Sequence, residues 1–171
     1  MRRVVPDKQL TAIVGKAFDE ACDDFTLAIA ERGFVRTKKR IWVRETAEAL
    51  DVVSLFRQGS SYGTPIFSSV DIRISATVRV PSETATFLAL TGPTSDAAQT
   101  RDGKFHLRFN AKSKHMYDRC LSDLLRFVDT VCIPWFDKKH SEVKPTKGTT
   151  SLRVETSQET RKLLGLKNNH R

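Results

Sequence analysis

The sequence predicts an α+β fold: a long N-terminal helix, an antiparallel sheet of about four strands, and a long second helix packed on one face of that sheet. Two segments place apolar residues every three or four positions, as amphipathic helices do. The segments between them alternate apolar and polar residues, as half-buried strands do. The connections hold too few crossover helices for a parallel sheet. We expect a single domain over 1–140, followed by a basic linker and short C-terminal helix over 141–171.

The first predicted helix covers residues 8–32. Asp7 is suited to the N-cap, and Gly33 is suited to a left-handed stop at the other end. A second set of residues on this helix is acidic, and we expect it to form a solvated face: Asp19, Glu20, Asp23 and Asp24. The helix is identified by one apolar stripe, which consists of Leu10, Ile13, Val14, Ala17, Phe18, Ala21, Phe25, Ala28 and Ile29.

Four strands follow from β-rich or alternating segments. They are predicted over residues 41–44, 52–57, 69–76 and 105–109. Between the third and fourth strands, the sequence predicts a short helix over 82–90 and a loop over 91–103. The segment from Gly59 to Gly63 has no following helix and no P-loop lysine, so it predicts a hairpin connection.

The second long helix is predicted over residues 114–139. Pro134 removes one backbone donor and disfavours helix at the residue before it, so a kink or break is expected near Ile133. Residues 138–155 are polar and predict a linker. Thr156 and Glu159 have capping-box spacing, and they precede a short leucine-containing helix.

The charge is unevenly distributed along the chain. Its 171 residues include 29 basic and 20 acidic ones, for a net charge of +9. The last 35 residues account for +5 of this charge, so the rest of the chain is only mildly basic. With 39% hydrophobic and 29% charged residues, the composition excludes membrane, collagen-like and fully disordered classes.

The cysteines and histidines argue against several chemistries. Cys22, Cys120 and Cys132 are odd in number and form no CxxC pair, so we expect a reducing compartment and a cytoplasmic protein. The four histidines lack metal-ligand spacing, and no nucleophile motif is present. We therefore expect no catalytic residue, metal or cofactor, and we lean against an enzyme.

Two groups of residues are candidates for binding. The first is Arg40, Trp42 and Arg44, which share one face of a predicted strand and suit base stacking or an acidic partner. The alternative is a tryptophan packed under an arginine-lined sheet edge.

The second group comprises Arg73, His106 and Arg108, which lie with Asp71 on the polar faces of two strands. Together with the first group they would form one arginine-rich sheet surface that suits phosphates or carboxylates. The alternative is a solvated or helix-covered face that contains cross-strand pairs between Asp71 and arginine.

The order of these features over residues 8–140 resembles the bacterial domain-of-unknown-function family 4304. The resemblance implies an α+β domain of a small cytosolic bacterial protein, and it brings no catalytic residues. The features that carry it are a helix ending at Gly33 and Phe34, a basic stretch over 36–40, Trp42 and Arg44, a strand with Val53, Leu55, Arg57 and Gln58, an alternating strand over 70–76, and a late helix ending at Ile133, Pro134, Trp135 and Phe136.

Three functions remain open from the sequence. The first is a non-enzymatic protein-binding module, in a setting such as toxin immunity or phage defence. The second is nucleic-acid binding through the basic strand region and the tail. The third is a small enzyme that holds an anionic substrate with Arg44, Arg73 and Arg108. We expect a protein partner first, nucleic acid second, and no membrane association.

Overall fold

The computed structural model describes residues 8–82, 86–95, 105–141 and 152–167. Over these residues, the chain forms an antiparallel sheet with helices packed against both of its faces. The predicted α+β class with an antiparallel sheet is confirmed. The predicted strand count is wrong, because the described residues form seven strands and not about four.

The first helix, α1, spans Lys8–Ile29 and ends in a 3-10 turn over Ala30–Arg32. Gly33 follows with a φ of 83°, the left-handed conformation predicted for the stop. Most of the predicted apolar stripe is buried. The predicted cap, Asp7, lies outside the described residues.

The described strands are β1 (Val35–Lys38), β2 (Ile41–Glu45), β3 (Leu50–Arg57), β4 (Ser69–Pro81), β5 (Thr86–Thr94), β6 (Arg108–Asn110) and β7 (Leu152–Thr156). They are ordered β1-β2-β3-β4-β5-β7 across the sheet, and β6 pairs with the beginning of β4. One edge of β4 is therefore shared, because β6 pairs with its first residues and β5 pairs with its later residues.

Three strands were not predicted, and they explain the difference in count. The predicted helix over 82–90 is wrong, because its described part from Thr86 belongs to β5. Leucine and alanine there favour a helix locally, but β5 pairs with both β4 and β7, and this tertiary pairing prevails over propensity. The missed edge strand β1 contains Arg36 and Lys38 of the basic stretch after Gly33, and charged side chains are common on edge strands.

The second long helix is present in three consecutive parts. These are α2 (Tyr117–Phe127), a π turn over Val128–Cys132, and α3 (Ile133–Ser141). In the π turn the backbone N–H of Ile133 donates to the carbonyl of Val128. Pro134 has no N–H and its ring crowds the preceding turn, so the wider π turn accommodates it without interrupting the helix. In place of the kink or break expected near Ile133, the helix therefore contains a π turn just before this residue.

The two faces of the sheet are covered differently. The helical face carries alternate residues of β4, such as Ile72, Ile74 and Ala76, and α1, α2 and α3 pack on it to form the main core. The second face carries the other set of alternating residues. Near Val43 and Val52 it holds a smaller apolar cluster, which includes Leu164 near the C-terminus.

The helix α4 (Ser157–Leu164) covers this cluster. It begins with the predicted capping box, in which Thr156 accepts from the Glu159 N–H and the Glu159 carboxylate accepts from the Thr156 N–H. The linker predicted up to residue 155 is wrong in its described part, because β7 pairs with β5 there. The proposed domain boundary at residue 140 stays a prediction.

The described residues contain no helix with the length and apolar character needed to cross a membrane. All three cysteines are buried and free. Burial raises the pKa of the Cys22 thiol to about 11 and that of Cys120 to about 12, which keeps both thiols protonated.

Candidate functional site

The sheet separates the six predicted binding residues into two groups. Arg40, Trp42 and Arg44 point to the helical face, where they meet α1 and α3. Arg108 lies on the second face beside Asp71, as Arg73 does by alternation along β4. The expectation that all six form one polar surface is therefore wrong. Alternation showed which residues share a face of each strand, but not which face the helices would cover.

Trp42 belongs to the core. Its side chain is fully buried, and its indole Nε1 donates to Thr26 Oγ1 over 3.0 Å. Phe25 meets its ring edge-on at 4.9 Å, and the Arg36 guanidinium lies 5.4 Å from its centroid. The alternative interpretation is therefore confirmed in that the tryptophan is packed beneath an arginine, but β2 is an inner strand and not the sheet edge that this interpretation expected. This ring is not exposed for stacking on a ligand.

Arg44 belongs to a buried polar cluster. Its Nε and Nη2 donate to Asp51 Oδ2 over 3.0 and 2.8 Å, and Asp51 is fully buried. The other oxygen of Asp51 lies 2.6 Å from His140 Nε2. A buried carboxylate is tolerated only when charged and hydrogen-bonded partners surround it. Because Asp51 lies on β3 and its two partners lie on β2 and α3, these contacts join the three elements.

The remaining basic stretch pairs with the acidic side of α1. Arg40 donates to Asp19 over 2.5 Å, and Arg36 donates to Asp23 over 2.7 Å. Burial alone would raise the pKa of Asp19, but the hydrogen bonds and charges of Arg40 and Lys39 lower it below its ordinary value. The Asp19 and Asp23 side chains remain 41% and 69% exposed, so the acidic face is solvated as expected, and it also forms ion pairs with this basic stretch.

The end of the second face that the described helices do not cover contains a cleft of about 570 Å³, which we call the Phe56 cleft. Phe56 and Arg73 lie directly opposite each other on β3 and β4. Phe56 is 47% exposed and Tyr62, in the β3–β4 connection, is 75% exposed. Phe56 is six residues from Leu50, or about 20 Å along β3. The site is therefore at the opposite end of the strand from the α4 cluster.

A second cleft of about 400 Å³, the Arg108 cleft, adjoins the first, and both are lined by Gln58 and Gly59. His106, Arg108 and Asp71 line it. Arg108 pairs with Asp71, its register partner across the β4–β6 ladder. The alternative interpretation of a cross-strand Asp71–arginine pair is confirmed.

Asp123 of α2 holds the segment before β6 in place. Its carboxylate accepts from the backbone N–H of His106 over 2.7 Å, and from Arg119 and Arg126 over 3.1 and 3.2 Å. Burial would raise the pKa of Asp123, but these three donors lower it below its ordinary value. A single carboxylate thus positions one wall of the Arg108 cleft.

The β3–β4 connection is held against β4 through buried polar contacts. The Ser61 hydroxyl accepts from the Asp71 N–H over 3.1 Å, and the Gln58 N–H donates to the Asp71 carbonyl over 2.9 Å. Ser61 is fully buried, whereas Tyr62 beside it is largely exposed. The connection is therefore anchored at its base and presents its aromatic residue to the solvent.

Sequence reasoning found four of the residues that line these clefts: Asp71, Arg73, His106 and Arg108. It missed Phe56, Arg57 and Tyr62. The second predicted strand, over 52–57, does not alternate clearly enough to show which of its residues share a face, and the segment after it predicts only a connection. A usable signal was present, because residues 56–67 combine four large hydrophobic side chains with glycine and serine and contain one charged residue.

Comparison of the chain with protein-family models finds no match, and neither do comparisons with curated proteins and with solved structures. The resemblance to the domain-of-unknown-function family 4304 stays a prediction.

Proposed function

We propose that this chain is a non-enzymatic protein-binding module that uses the Phe56 cleft and the β3–β4 connection as its binding surface. The observation that carries the proposal is a concentration of exposed apolar side chains. Of the eight large hydrophobic side chains exposed among the described residues, four lie within residues 56–67. They are Phe56, Tyr62, Ile66 and Phe67. Exposed apolar groups concentrated in this way are typical of interaction sites.

The residue types at this end of the sheet support a protein partner. Protein interfaces are enriched in phenylalanine, tyrosine and arginine and depleted in lysine, aspartate and glutamate. Residues 56–67 contain no lysine, aspartate or glutamate, and their one charged residue is Arg57. Ile66 is 57% exposed and has no π face on which a base could stack. These features favour a protein over a nucleic acid.

The nucleic-acid alternative rests on the basic strand region and the tail. In the strand region, Arg36, Arg40 and Arg44 are paired with carboxylates on the helical face. Phosphate binding needs several cations that can exchange their counterions for phosphates. Arginines that are already neutralised within the fold contribute little to it.

The test is affinity capture from a lysate of the native host, with and without nuclease. We expect the wild-type chain to recover a protein partner both with and without nuclease. The Phe56→Ser and Tyr62→Ser variants should each fail to recover it. Leu27→Ser is the matched control, because Leu27 is 77% exposed on α1, away from the second face. The proposal would be contradicted if nuclease abolished recovery of the partner, or if the Phe56→Ser and Tyr62→Ser variants recovered as much of it as the wild type. Thermal unfolding checks that each variant is folded.

A further inference from the structure

A further cleft, of about 410 Å³, borders the end of β3 on the helical face, and we call it the Arg57 cleft. Leu55 and Arg57 are two residues apart on β3, so they share one face of the sheet, and Leu55 belongs to the main core. The cleft therefore lies on the opposite side of the sheet from the Phe56 cleft. Its lining includes Phe18, Arg40, Leu55, Phe56, Arg57 and Tyr62.

Arg57 carries a donor that the fold leaves unsatisfied. Its Nη1 is buried and has no hydrogen-bond partner in the described part of the chain. The residue as a whole is only partly buried, so its guanidinium borders the cleft. Buried polar groups in proteins are nearly always hydrogen-bonded, and a charged donor without an acceptor costs more than a neutral one. An anion in the cleft would give this guanidinium an acceptor.

The charges that line the Arg57 cleft match one negative charge. The lining contains no acidic residue, and Arg40 is already paired with Asp19 over 2.5 Å. Arg57 is the lining cation for which the described residues provide no counterion. A carboxylate brings one charge and two oxygens that fit the guanidinium fork, whereas a phosphate monoester brings about two charges at neutral pH. The charge count therefore favours a monocarboxylate.

The rest of the lining is apolar. Phe56 is 47% exposed and Tyr62 is 75% exposed, so both rings are open to contact, while the Phe18 ring lies beneath the Arg40 guanidinium at 4.2 Å. Small-molecule sites have volumes of roughly 300–1,000 Å³, with mostly apolar walls and a few polar groups that fix the orientation of the ligand. The volume of the Arg57 cleft is at the lower end of this range, which suits a small ligand.

We propose that the Arg57 cleft binds a small organic acid. Its carboxylate pairs with the Arg57 guanidinium, and its apolar group, an aromatic ring or a branched aliphatic chain, packs against Phe56 and Tyr62. The inference goes beyond the proposed protein-binding function and does not depend on it. Because Phe56 and Tyr62 line both clefts, the bound acid would lie next to the surface proposed for the protein partner.

The experiment is isothermal titration of the full chain with phenylacetate and with isovalerate. We expect saturable binding of at least one of these acids. Phenylacetamide has the same ring but no charge, and acetate has the charge but no apolar group, so each should bind at least about tenfold more weakly. Arg57→Met should weaken binding of the acid about tenfold or more, because a hydrogen-bonded charge is lost. Arg73→Met is the matched control on the second face, and it should change the affinity less than about twofold.

Thermal unfolding separates a binding role of Arg57 from a structural one. Without ligand, Arg57→Met should unfold at a higher temperature than the wild type, because it removes an unsatisfied buried donor. The acid should raise the unfolding temperature of the wild type and leave that of Arg57→Met unchanged. A structural role would give the reverse, with a lower unfolding temperature for the variant and an unchanged affinity for the acid.

Three results would overturn the carboxylate site and leave the protein-binding function standing. The first is that neither phenylacetate nor isovalerate binds. The second is that phenylacetamide binds as tightly as phenylacetate, a comparison that needs only the wild type and so holds even if Arg57→Met does not fold. The third is that Arg73→Met weakens binding as much as Arg57→Met, which would place the acid in the Phe56 cleft.

Discussion

At the scale of single residues, Asp123 shows how a buried charge organises a surface. It is 3% exposed and lies on α2, yet it accepts the backbone N–H of His106 on the segment before β6. Arg126 donates to the same carboxylate and also lies 4.4 Å from the centre of the Phe105 ring. One side chain therefore links the helical layer to the wall of the Arg108 cleft. Its ionised form is the one that these donors stabilise.

Asp123→Asn should lower the free energy of unfolding by about 2 kcal/mol at pH 7, because charge-assisted hydrogen bonds are replaced by weaker ones. The pKa of Asp123 is lowered in the folded state, so its contribution is present above the ordinary value of 3.8 and lost as the pH falls through the folded pKa. Urea unfolding measures the free energy of unfolding of the wild type and of Asp123→Asn, and the difference between the two values should become smaller below pH 3.8. Asp118→Asn, at an exposed position on the same helix, is the control. An undiminished difference at acid pH would contradict this account.

At the scale of elements, two glycines show how neighbours determine the role of one residue type. Gly15 lies inside α1, and a Cβ added there would meet nothing within 4 Å. Gly92 lies on β5, where a Cβ would come within 2.7 Å of both the Ala76 carbonyl oxygen and the Trp135 ring. The first glycine only weakens its helix. The second allows the π-helical region and α3 to pack closely on the sheet.

We expect Gly15→Ala to stabilise the protein by about 1 kcal/mol, because alanine has the higher helix propensity. Gly92→Ala should destabilise it by about 1–3 kcal/mol, because the sheet or Trp135 must shift to admit a methyl group. Thermal unfolding measures both changes, and each variant is the control for the other. Equal effects of the two substitutions would mean that the close approach at Gly92 is not maintained in solution.

At the scale of the whole molecule, the C-terminal segment completes the fold. β7 extends the sheet beyond β5, and Glu155 of this strand pairs with Arg79 of β4. Leu164 of α4 is 2% exposed and packs with Val43 and Val52 on the second face. The segment thus buries apolar surface of β2 and β3 that would otherwise face water.

Leu164→Ala should lower the free energy of unfolding by about 3 kcal/mol, since it removes buried methyl groups from a packed cluster. Leu163→Ala is the matched control, because its neighbour Leu163 is 43% exposed, and it should cost less than about 1 kcal/mol. Urea unfolding followed by tryptophan fluorescence is suited to this test, because Trp42 lies in the main core. If the tryptophan transition, to which Trp42 and Trp135 both contribute, were unaffected by Leu164→Ala, α4 would be an independent appendage.

The sequence carried enough information for several elements because their signals are local. The apolar stripe and Gly33 defined α1, the alternation from Val70 to Ala76 defined the middle of β4, and Thr156 with Glu159 defined the start of α4. The missed strands have weak local signals. β5 contains good helix formers, and its pairing with strands before and after it in the chain gives it its conformation.

The candidate site shows the same division between local and long-range information. By itself, the sequence determined the antiparallel α+β class and the alternation that puts Arg40, Trp42 and Arg44 on one side of a strand. Only the tertiary structure decided that this side meets α1, which buries Trp42 and pairs Arg40, and that the exposed end contains Phe56 and Arg73. The physical reason is that alternation has a period of two and no absolute direction. Which face becomes buried depends on helices that are distant in sequence.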